Sequence, residues 1–481
     1  MNKSSKEVLA DSPLKLNYKR TFIIGFAFFG ILLLWQVYDT WCPTLLTELF
    51  KEAFPGKSVD EVQYLVGIMM ALDNLAALIL LPIFGTLSDK THTKIGKRMP
   101  YILAGTFCCA VAFPFIPLLF HYHNVGGTIA MMAVVVAFAM MYRNPAVALM
   151  PDITPKPLRS KANGVINIMG YIGGAFATVV GLVFVLSEYL GKDSANWLNG
   201  NGNIWLIEGP FLVASALMVI SAMVLFFSIN ENKVEEEVKD DLELGEKLAE
   251  ISDSVEDDDK KPMSKANLTM LILILVAEFF WFMADNGIGT FMNNYAIYYL
   301  HCKSSSNLIN VLVGGVGSVL GFVMGGIIAS KIGRKWTVVG GLSLTLFAYI
   351  MWGVLSYSIP VNIPAEGYNS FPIYIYFVWA LKGFGMSLVH INSFPMVVEL
   401  CSKKKIGRFT GYYYASSMTA QTITPCLIGL LLLNDNFSFK ILPFYAFICV
   451  SVSLAVFLFI KNVKNKKLNF KKGLASFDVD D

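Results

Sequence analysis

Seven ionisable side chains interrupt the long apolar stretches of the sequence, and they are the first candidates for chemistry. They are Asp39, Asp73, Arg143, Glu278, Asp285, Lys382 and His390. An ionisable side chain near the centre of a lipid bilayer costs about 2.5 to 3.5 kcal/mol on insertion scales, so such residues usually face a protected space and mark the path of a solute or a proton. These residues therefore predict a polar site inside an apolar protein.

Helical spacing places several of these residues on shared faces with aromatic side chains. Residues three, four or seven positions apart lie on one face of an α-helix, as do Trp35 with Asp39, and Trp281 with Asp285. An indole ring beside a carboxylate suits a sugar, because the ring packs against C–H groups while the carboxylate accepts hydroxyl hydrogen bonds. The alternative is that both tryptophans belong to a membrane-interface belt. The predicted substrate-binding residues are Trp35, Asp39, Arg143, Trp281, Asp285, Lys382 and His390.

The charged residues also predict ion pairs and a route for protons. Pairing Asp39 with Arg143, and Lys382 with Glu278 or Asp285, lowers the cost of burial and leaves a charge that a ligand can switch. The alternative is a set of permanent salt bridges that only hold helices together. We predict H⁺ as the coupling ion, with no metal and no cofactor, and name as proton-coupling residues Asp39, Asp73, Glu278 and Asp285.

Three residues near this site have an open interpretation. Asp73 has no partner evident in the sequence, which favours a proton site, although a helix–helix hydrogen bond to Ser, Thr or Asn is the alternative. His390 is either part of the site or a packed, hydrogen-bonded histidine. Tyr38 is expected to pack or to lie in the interface belt.

The composition indicates which elements must position these residues. Of 481 residues, 55% are hydrophobic and 15% charged, with a net charge of +3 and a mean hydropathy of +0.57. Soluble chains are about half apolar and about a quarter charged, so this balance excludes a disordered or nucleic-acid-binding chain and predicts a helical membrane protein. Because the apolar runs are continuous instead of alternating, a β-barrel is excluded.

Apolar runs of spanning length predict twelve transmembrane helices. Those of the first half lie at about residues 21–46, 62–88, 100–120, 127–149, 162–187 and 208–228; those of the second half lie at about 267–294, 307–329, 336–356, 372–398, 409–433 and 440–461. Most Lys and Arg residues fall in loops on the side of the N-terminus, which predicts that both termini are cytoplasmic in a cell-membrane protein.

The spans form two similar halves. The predicted organisation is a cytoplasmic tail over 1–20, a six-helix bundle over 21–228, an acidic cytoplasmic linker over 229–266, a second bundle over 267–461 and a tail over 462–481. The linker is dense in Asp and Glu, so we expect it to be solvated and mobile. Trp35 and Asp39 recur as Trp281 and Asp285 in the second half. A duplicated half is typical of transporters that rock two bundles around a central site.

A hairpin between the second and third spans has ordered Gly, Asp, Arg and Pro residues. Its glycines and proline fit close helix packing and a tight turn, and its acid can bind a nearby base. We predict a cytoplasmic gate; the alternative is a plain basic loop. The gate residues are Gly85, Asp89, Lys90, Gly96, Arg98 and Pro100.

This hairpin, together with the segment 145–152 and the pair Ala162-Asn163, resembles the glycoside-pentoside-hexuronide cation symporters of the major facilitator superfamily and their sucrose-transporter relatives. The resemblance implies two pseudo-symmetric six-helix bundles, alternating access, and spans 1, 4, 7 and 10 lining a central cavity. The sequence departs from the pattern of these families at two places. Leu81 and Ala77 replace a carboxylate dyad of melibiose-type members, and Val147 replaces an Arg of plant sucrose carriers, with Arg143 one turn earlier.

The leading prediction is a monomeric secondary transporter that imports a glycoside, such as a sucrose- or maltose-like disaccharide, with protons. Its partners would be the sugar and the lipid bilayer, with no nucleic acid. Alternatives are a carrier for an acidic sugar, a lipid or another small solute, and a non-transporting membrane sensor. An enzyme is not expected, because the sequence has no phosphate-binding loop, no clustered metal ligands and no nucleophile with a base at usable spacing.

Overall fold

The computed structural model describes residues 14–190, 203–254, 265–359, 361–364, 367–398, 400, 406–434 and 437–460. These residues form twelve helices that are long and apolar enough to cross a membrane, and they form no β-strand. The first half contains α1 (Tyr18–Ala53), α2 (Val59–Lys90), α3 (Met99–His121), α4 (Val125–Asp152), α5 (Lys161–Leu190) and α6 (Trp205–Ser228). The second half contains α7 (Lys265–Tyr299), α8 (Ser304–Ile332), α9 (Arg334–Ser358), α10 (Ile373–Val397), α11 (Phe409–Leu432) and α12 (Ile441–Leu458).

Local sequence accounts for several helix ends. Ser58 and Glu61 form a capping box at the start of α2: the Glu61 N–H donates to the Ser58 hydroxyl at 3.2 Å, and the Ser58 N–H donates to the Glu61 carboxylate at 2.6 Å. Simple N-caps begin α1 and α4, where the side chain of Asn17 accepts the Arg20 N–H and that of Asn124 accepts the Gly127 N–H. Gly333 separates α8 from α9 with a φ of 89°, a conformation that favours glycine.

Each half has its own hydrophobic core. One core contains buried residues between Ile24 and Val238, and the other contains buried residues between Leu271 and Ile460. In the first half α1 packs mainly on α5, and in the second half α8 packs mainly on α10. The halves meet where α2 crosses α11 and where α5 crosses α8. The predicted architecture of two six-helix bundles with twelve spans is therefore confirmed.

Close contact between the halves depends on glycine. A Cβ atom at Gly429 would lie 2.6 Å from the Cα of Tyr64, and one at Gly67 would collide with the Pro425 carbonyl. Because only glycine has no side chain at these positions, the backbones of α2 and α11 can approach each other directly. This crossing lies at the end of the bundle remote from the linker, which we call the far end; the opposite end, where α1 begins and α6 ends, is the linker end.

The prediction of a solvated, mobile linker is wrong for the first part of that segment. Residues Glu231–Glu237 and Lys239–Ser254 form two helices, and Val234 and Val238 are buried in the core of the first half. Arg20 of α1 donates to Glu237 at 2.9 Å. The described part of the linker is therefore docked on the first bundle, because its few apolar side chains lie on one helical face. Residues 255–264, the C-terminal tail after 460 and most of the N-terminal tail lie outside the described residues.

Candidate functional site

A cationic and an aromatic side chain meet between α1 and α4. The guanidinium of Arg143 lies over the Trp35 ring, 5.9 Å from its centroid, an attractive cation–π arrangement. Asp39 follows Trp35 by one helical turn, is exposed, and interacts electrostatically with Arg143. Neither charged group forms a direct ion pair with any described residue. The acid and the base therefore face the same space, and both have free hydrogen-bonding positions.

Asp73 has a partner that was not predicted. The hydroxyl of Tyr38 in α1 donates a hydrogen bond to the Asp73 carboxylate in α2. Tyr38 is fully buried, and its ring packs edge-on against Trp35, with centroids 5.6 Å apart. Tyr38 thus does more than pack, and it connects Asp73 to the aromatic ring below Arg143.

In the second half, an ion pair joins α7 to α10. Lys382 binds the carboxylate of Asp285, so of the two predicted partners the structure selects Asp285. His390 lies on the same helix as Lys382, interacts electrostatically with Asp285, and packs against the ring of Phe282 at 5.4 Å. The structure therefore brings together three of the four predicted binding residues of this half.

The fourth, Trp281, lies elsewhere. It is fully buried and packs against Phe457 of α12, with ring centroids 6.5 Å apart. Glu278, one turn earlier, is also fully buried, and both of its carboxyl oxygens lack a hydrogen-bond partner among the described residues. In this conformation both side chains face the core of the second bundle, so Trp281 does not share a space with Trp35 as a predicted substrate-binding residue would. The rotation of α7 about its axis decides this, and periodicity alone leaves that rotation open.

A buried polar network closes the far end. The side chain of Asn294 in α7 accepts a hydrogen bond from Thr44 at 2.7 Å and donates to Thr47 and Gln63, each at 3.0 Å. Asn293 donates to the Thr44 hydroxyl at 2.9 Å. The three partners Thr44, Thr47 and Gln63 belong to α1 and α2, so these bonds connect the two halves. We call Thr44, Thr47, Gln63, Asn293 and Asn294 the far-end seal.

Further contacts between the halves support this closure. The hydroxyl of Tyr298 donates to Glu48 at 2.5 Å, and the backbone N–H of Ser304 donates to the Ser187 hydroxyl at 3.0 Å. Another lies near the middle of α2, where Asn74 donates to the Gln421 carbonyl of α11 at 3.2 Å. The hydrogen bonds that described residues of the two halves form with each other therefore lie at the far end or at mid-depth.

The predicted gate is an ordered cluster at the linker end, centred on Arg98. Arg98 binds Asp89, donates to Asp152 at 2.8 Å and donates to the Ser88 hydroxyl at 2.5 Å. Burial opposes the charge of Arg98, but Asp152 and Asp89 outweigh it and hold the pKa of the guanidinium above its usual value. All of these residues belong to the first half, so the cluster connects the α2–α3 hairpin to the end of α4.

The other gate residues have distinct positions. Gly85 lies against Asn144 of α4, whose amide donates to the Leu81 carbonyl at 2.6 Å, so glycine permits this crossing. Gly96 has a φ of 116°, Pro100 lies in the first turn of α3, and Lys90 is exposed.

Glu231 in the first linker helix is a hairpin partner that sequence reasoning missed. Its buried carboxylate accepts the backbone N–H groups of Lys97 at 3.1 Å, Arg98 at 3.0 Å and Met99 at 3.0 Å, which are otherwise unsatisfied at the start of a helix. Within an acidic run, nothing marks one Glu as a cap. The Asn293-Asn294 pair, by contrast, is visible as two amides in an apolar span.

The sequence and the fold were compared with known proteins. The Major Facilitator Superfamily profile matches residues 24–365 and 274–477, and no curated protein matches the chain. Among solved structures, the partially occluded inward open xylose transporter XylE from E. coli superposes with a TM-score of 0.62 at 16% identity, covering 94% of this chain and all of that one.

Two other structures show the same fold. A bacterial homologue of the iron transporter ferroportin, in an inward-facing state, has a TM-score of 0.62 at 13% identity, covering 92% of this chain and 99% of that one. A POT family transporter in complex with 5-aminolevulinic acid has a TM-score of 0.60 at 11% identity, covering 92% and 95%. The chain belongs to the major facilitator superfamily, and its family and fold identify it as a secondary transporter that works by alternating access, not an enzyme.

Proposed function

We propose that the protein is a proton-coupled symporter of an uncharged glycoside, such as a sucrose- or maltose-like disaccharide. The observation that carries this proposal is the Arg143 guanidinium over the Trp35 ring, beside an exposed Asp39. A ring, a donor and an acceptor that face one space match the C–H face and the hydroxyl groups of a sugar. The same superfamily branch was indicated by the hairpin motif.

Charge balance supports an uncharged substrate. Lys382 is neutralised by Asp285, and Arg143 interacts with Asp39 across the substrate space. Each half thus offers one acid–base pair to the substrate space, Asp39 with Arg143 and Asp285 with Lys382, and a neutral solute leaves the balance within these pairs undisturbed. In the proposed cycle the sugar binds between Trp35 and Asp39 on one side and the Asp285, Lys382 and His390 group on the other. Trp281 packs in the core of the second bundle in this conformation.

The energy of one coupled proton is sufficient to accumulate the sugar. One charge moving through 100 mV supplies about 2.3 kcal/mol, and a tenfold concentration gradient corresponds to about 1.4 kcal/mol. One proton per sugar therefore sustains more than tenfold accumulation. We place the protein as a monomer in the cell membrane with its linker end in the cytoplasm.

A carrier for an acidic sugar is the second candidate, because Arg143 forms no direct ion pair and can bind a carboxylate. The test is uptake into proteoliposomes with an acidic exterior, using labelled sucrose, maltose, xylose and a hexuronide. We expect accumulation of a neutral glycoside, with loss of uptake in Arg143→Gln and normal uptake in the surface variant Lys19→Gln, whose side chain is exposed. Accumulation of the hexuronide alone would favour the second candidate, and no flux of any solute would favour a sensor.

A further inference from the structure

We propose that Asp73 is the residue that binds the coupled proton and that Tyr38 is the positioning residue that connects this proton to the substrate space. This inference rests on the proposed proton symport, and it selects one of the four carboxylates named as candidates. The observations that carry it are the Tyr38–Asp73 hydrogen bond between α1 and α2 and the packing of Tyr38 on Trp35.

The surroundings of the other three acids suit them less well to the task. Asp285 is held by Lys382, so its charge is already compensated. Glu278 is fully buried and has no hydrogen-bond partner among the described residues, so a proton there is sealed from water in this conformation. Asp39 faces Arg143, and we assign it to the sugar.

Asp73 combines accessibility with a partner that tolerates both protonation states. It retains exposed surface. When Asp73 is ionised, the Tyr38 hydroxyl donates to it; when Asp73 takes up a proton, its own O–H can donate to the Tyr38 oxygen. A hydroxyl is both donor and acceptor, so the hydrogen bond between the two side chains persists in both states.

The groups around Asp73 are few. From α1 it faces Tyr38, Asp39 and the thiol of Cys42. From α4, the charge of Arg143 acts on Asp39. From α11, the uncharged Gln421 carbonyl contacts the adjacent residue Asn74. No described cation neutralises Asp73 directly, so uptake of a proton is the available way to remove its charge.

Asp73 also lies between the substrate space and the contact that joins the halves. On one side, Tyr38 packs on Trp35, which carries Arg143. On the other side, the adjacent residue Asn74 donates to the Gln421 carbonyl of α11 at 3.2 Å. A change of charge at Asp73 therefore acts at the α2–α11 crossing that must rearrange when the bundles rock.

The test separates proton coupling from binding, using labelled sucrose in proteoliposomes. We expect Asp73→Asn to lose accumulation driven by a pH gradient while keeping sucrose counterflow, which needs no net proton movement. We expect Tyr38→Phe to keep counterflow and to move the external pH of half-maximal uptake upward by about one unit, because the ionised acid loses its donor. Tyr142→Phe is the matched control, since this buried hydroxyl has no described partner.

A second measurement does not depend on the substrate. Infrared difference spectra on acidification should show the carbonyl band of a protonated acid that is absent in Asp73→Asn, displaced in Tyr38→Phe and unchanged in Tyr142→Phe. If wild-type protein accumulates no sugar with protons yet shows these bands, the proposed function fails and the assignment of Asp73 stands. If Asp73→Asn still accumulates sucrose, or Tyr38→Phe behaves like Tyr142→Phe in both measurements, the assignment is wrong.

Discussion

The Thr44 hydroxyl of α1 donates a 2.7 Å hydrogen bond to the side chain of Asn294 in α7, and this bond joins the two bundles at the far end. Both residues are fully buried. A buried polar group left without a partner costs about 1 to 3 kcal/mol, so the seal has to find new partners, water included, when the far end opens. Opening of the far end therefore requires the side chains of the far-end seal to exchange their hydrogen bonds with each other for hydrogen bonds with water.

Replacing Asn294 with Leu should favour opening of the far end. The change removes the acceptor of the Thr44 hydroxyl and the amide that donates to Thr47 and Gln63. We expect it to shift the closed-to-open ratio by roughly tenfold for each 1.4 kcal/mol lost. Spin labels at the exposed positions Tyr122 and Ile363, in a background without native cysteines, would report longer distances. The control is Asn310→Leu, a buried amide of α8 without a described partner; equal distances in both variants would contradict the assignment of the seal.

The ion pair between Asp285 and Lys382 should show strong coupling in a double-mutant cycle. Lys382→Met leaves the Asp285 carboxylate without its partner inside the membrane, a loss of about 3 to 5 kcal/mol. The double variant Asp285→Asn, Lys382→Met removes both charges, so its melting temperature in detergent should exceed that of the single variant. A double variant less stable than the Lys382→Met protein would show that the two side chains act independently.

The ionisable carboxyl group of Glu278 should not be needed for proton-driven uptake. Its carboxyl group is fully buried without a hydrogen-bond partner among the described residues, so an uncharged amide of the same shape fits the same space. We expect Glu278→Gln to keep proton-driven uptake within about twofold and to raise the melting temperature slightly, because an ionisable group no longer has to be buried. Loss of accumulation with retained counterflow would instead place the coupled proton at Glu278.

Glu231 should anchor the linker to the α2–α3 hairpin. Its carboxylate caps three backbone N–H groups at the start of α3, and losing a cap costs about 1 kcal/mol. Glu231→Ala should therefore speed hydrogen exchange over residues 231–254. Glu236→Ala is the matched control on the same helix, since Glu236 is exposed. If both variants exchange alike, the docked position of the linker rests on Val234 and Val238 instead.

The sequence alone determined the twelve spans, the two halves and the superfamily. A transmembrane span is a sum of transfer free energies over contiguous residues, so hydropathy finds it without knowledge of any neighbour. The hairpin cluster around Asp89 and Arg98 could be predicted from the sequence for a similar reason. Asp89 and Arg98 lie nine residues apart across one turn, and their ion pair forms from local chain geometry.

Only the tertiary structure decided which residues meet across helices. Trp281 and Trp35 share one local pattern, yet the rotation of α7 buries Trp281 against α12, while Trp35 supports Arg143. The Tyr38–Asp73 and Thr44–Asn294 bonds likewise require residues of two separate helices to lie at one depth and face each other. Periodicity specifies a face of each helix, but the packing of all twelve helices sets where that face points.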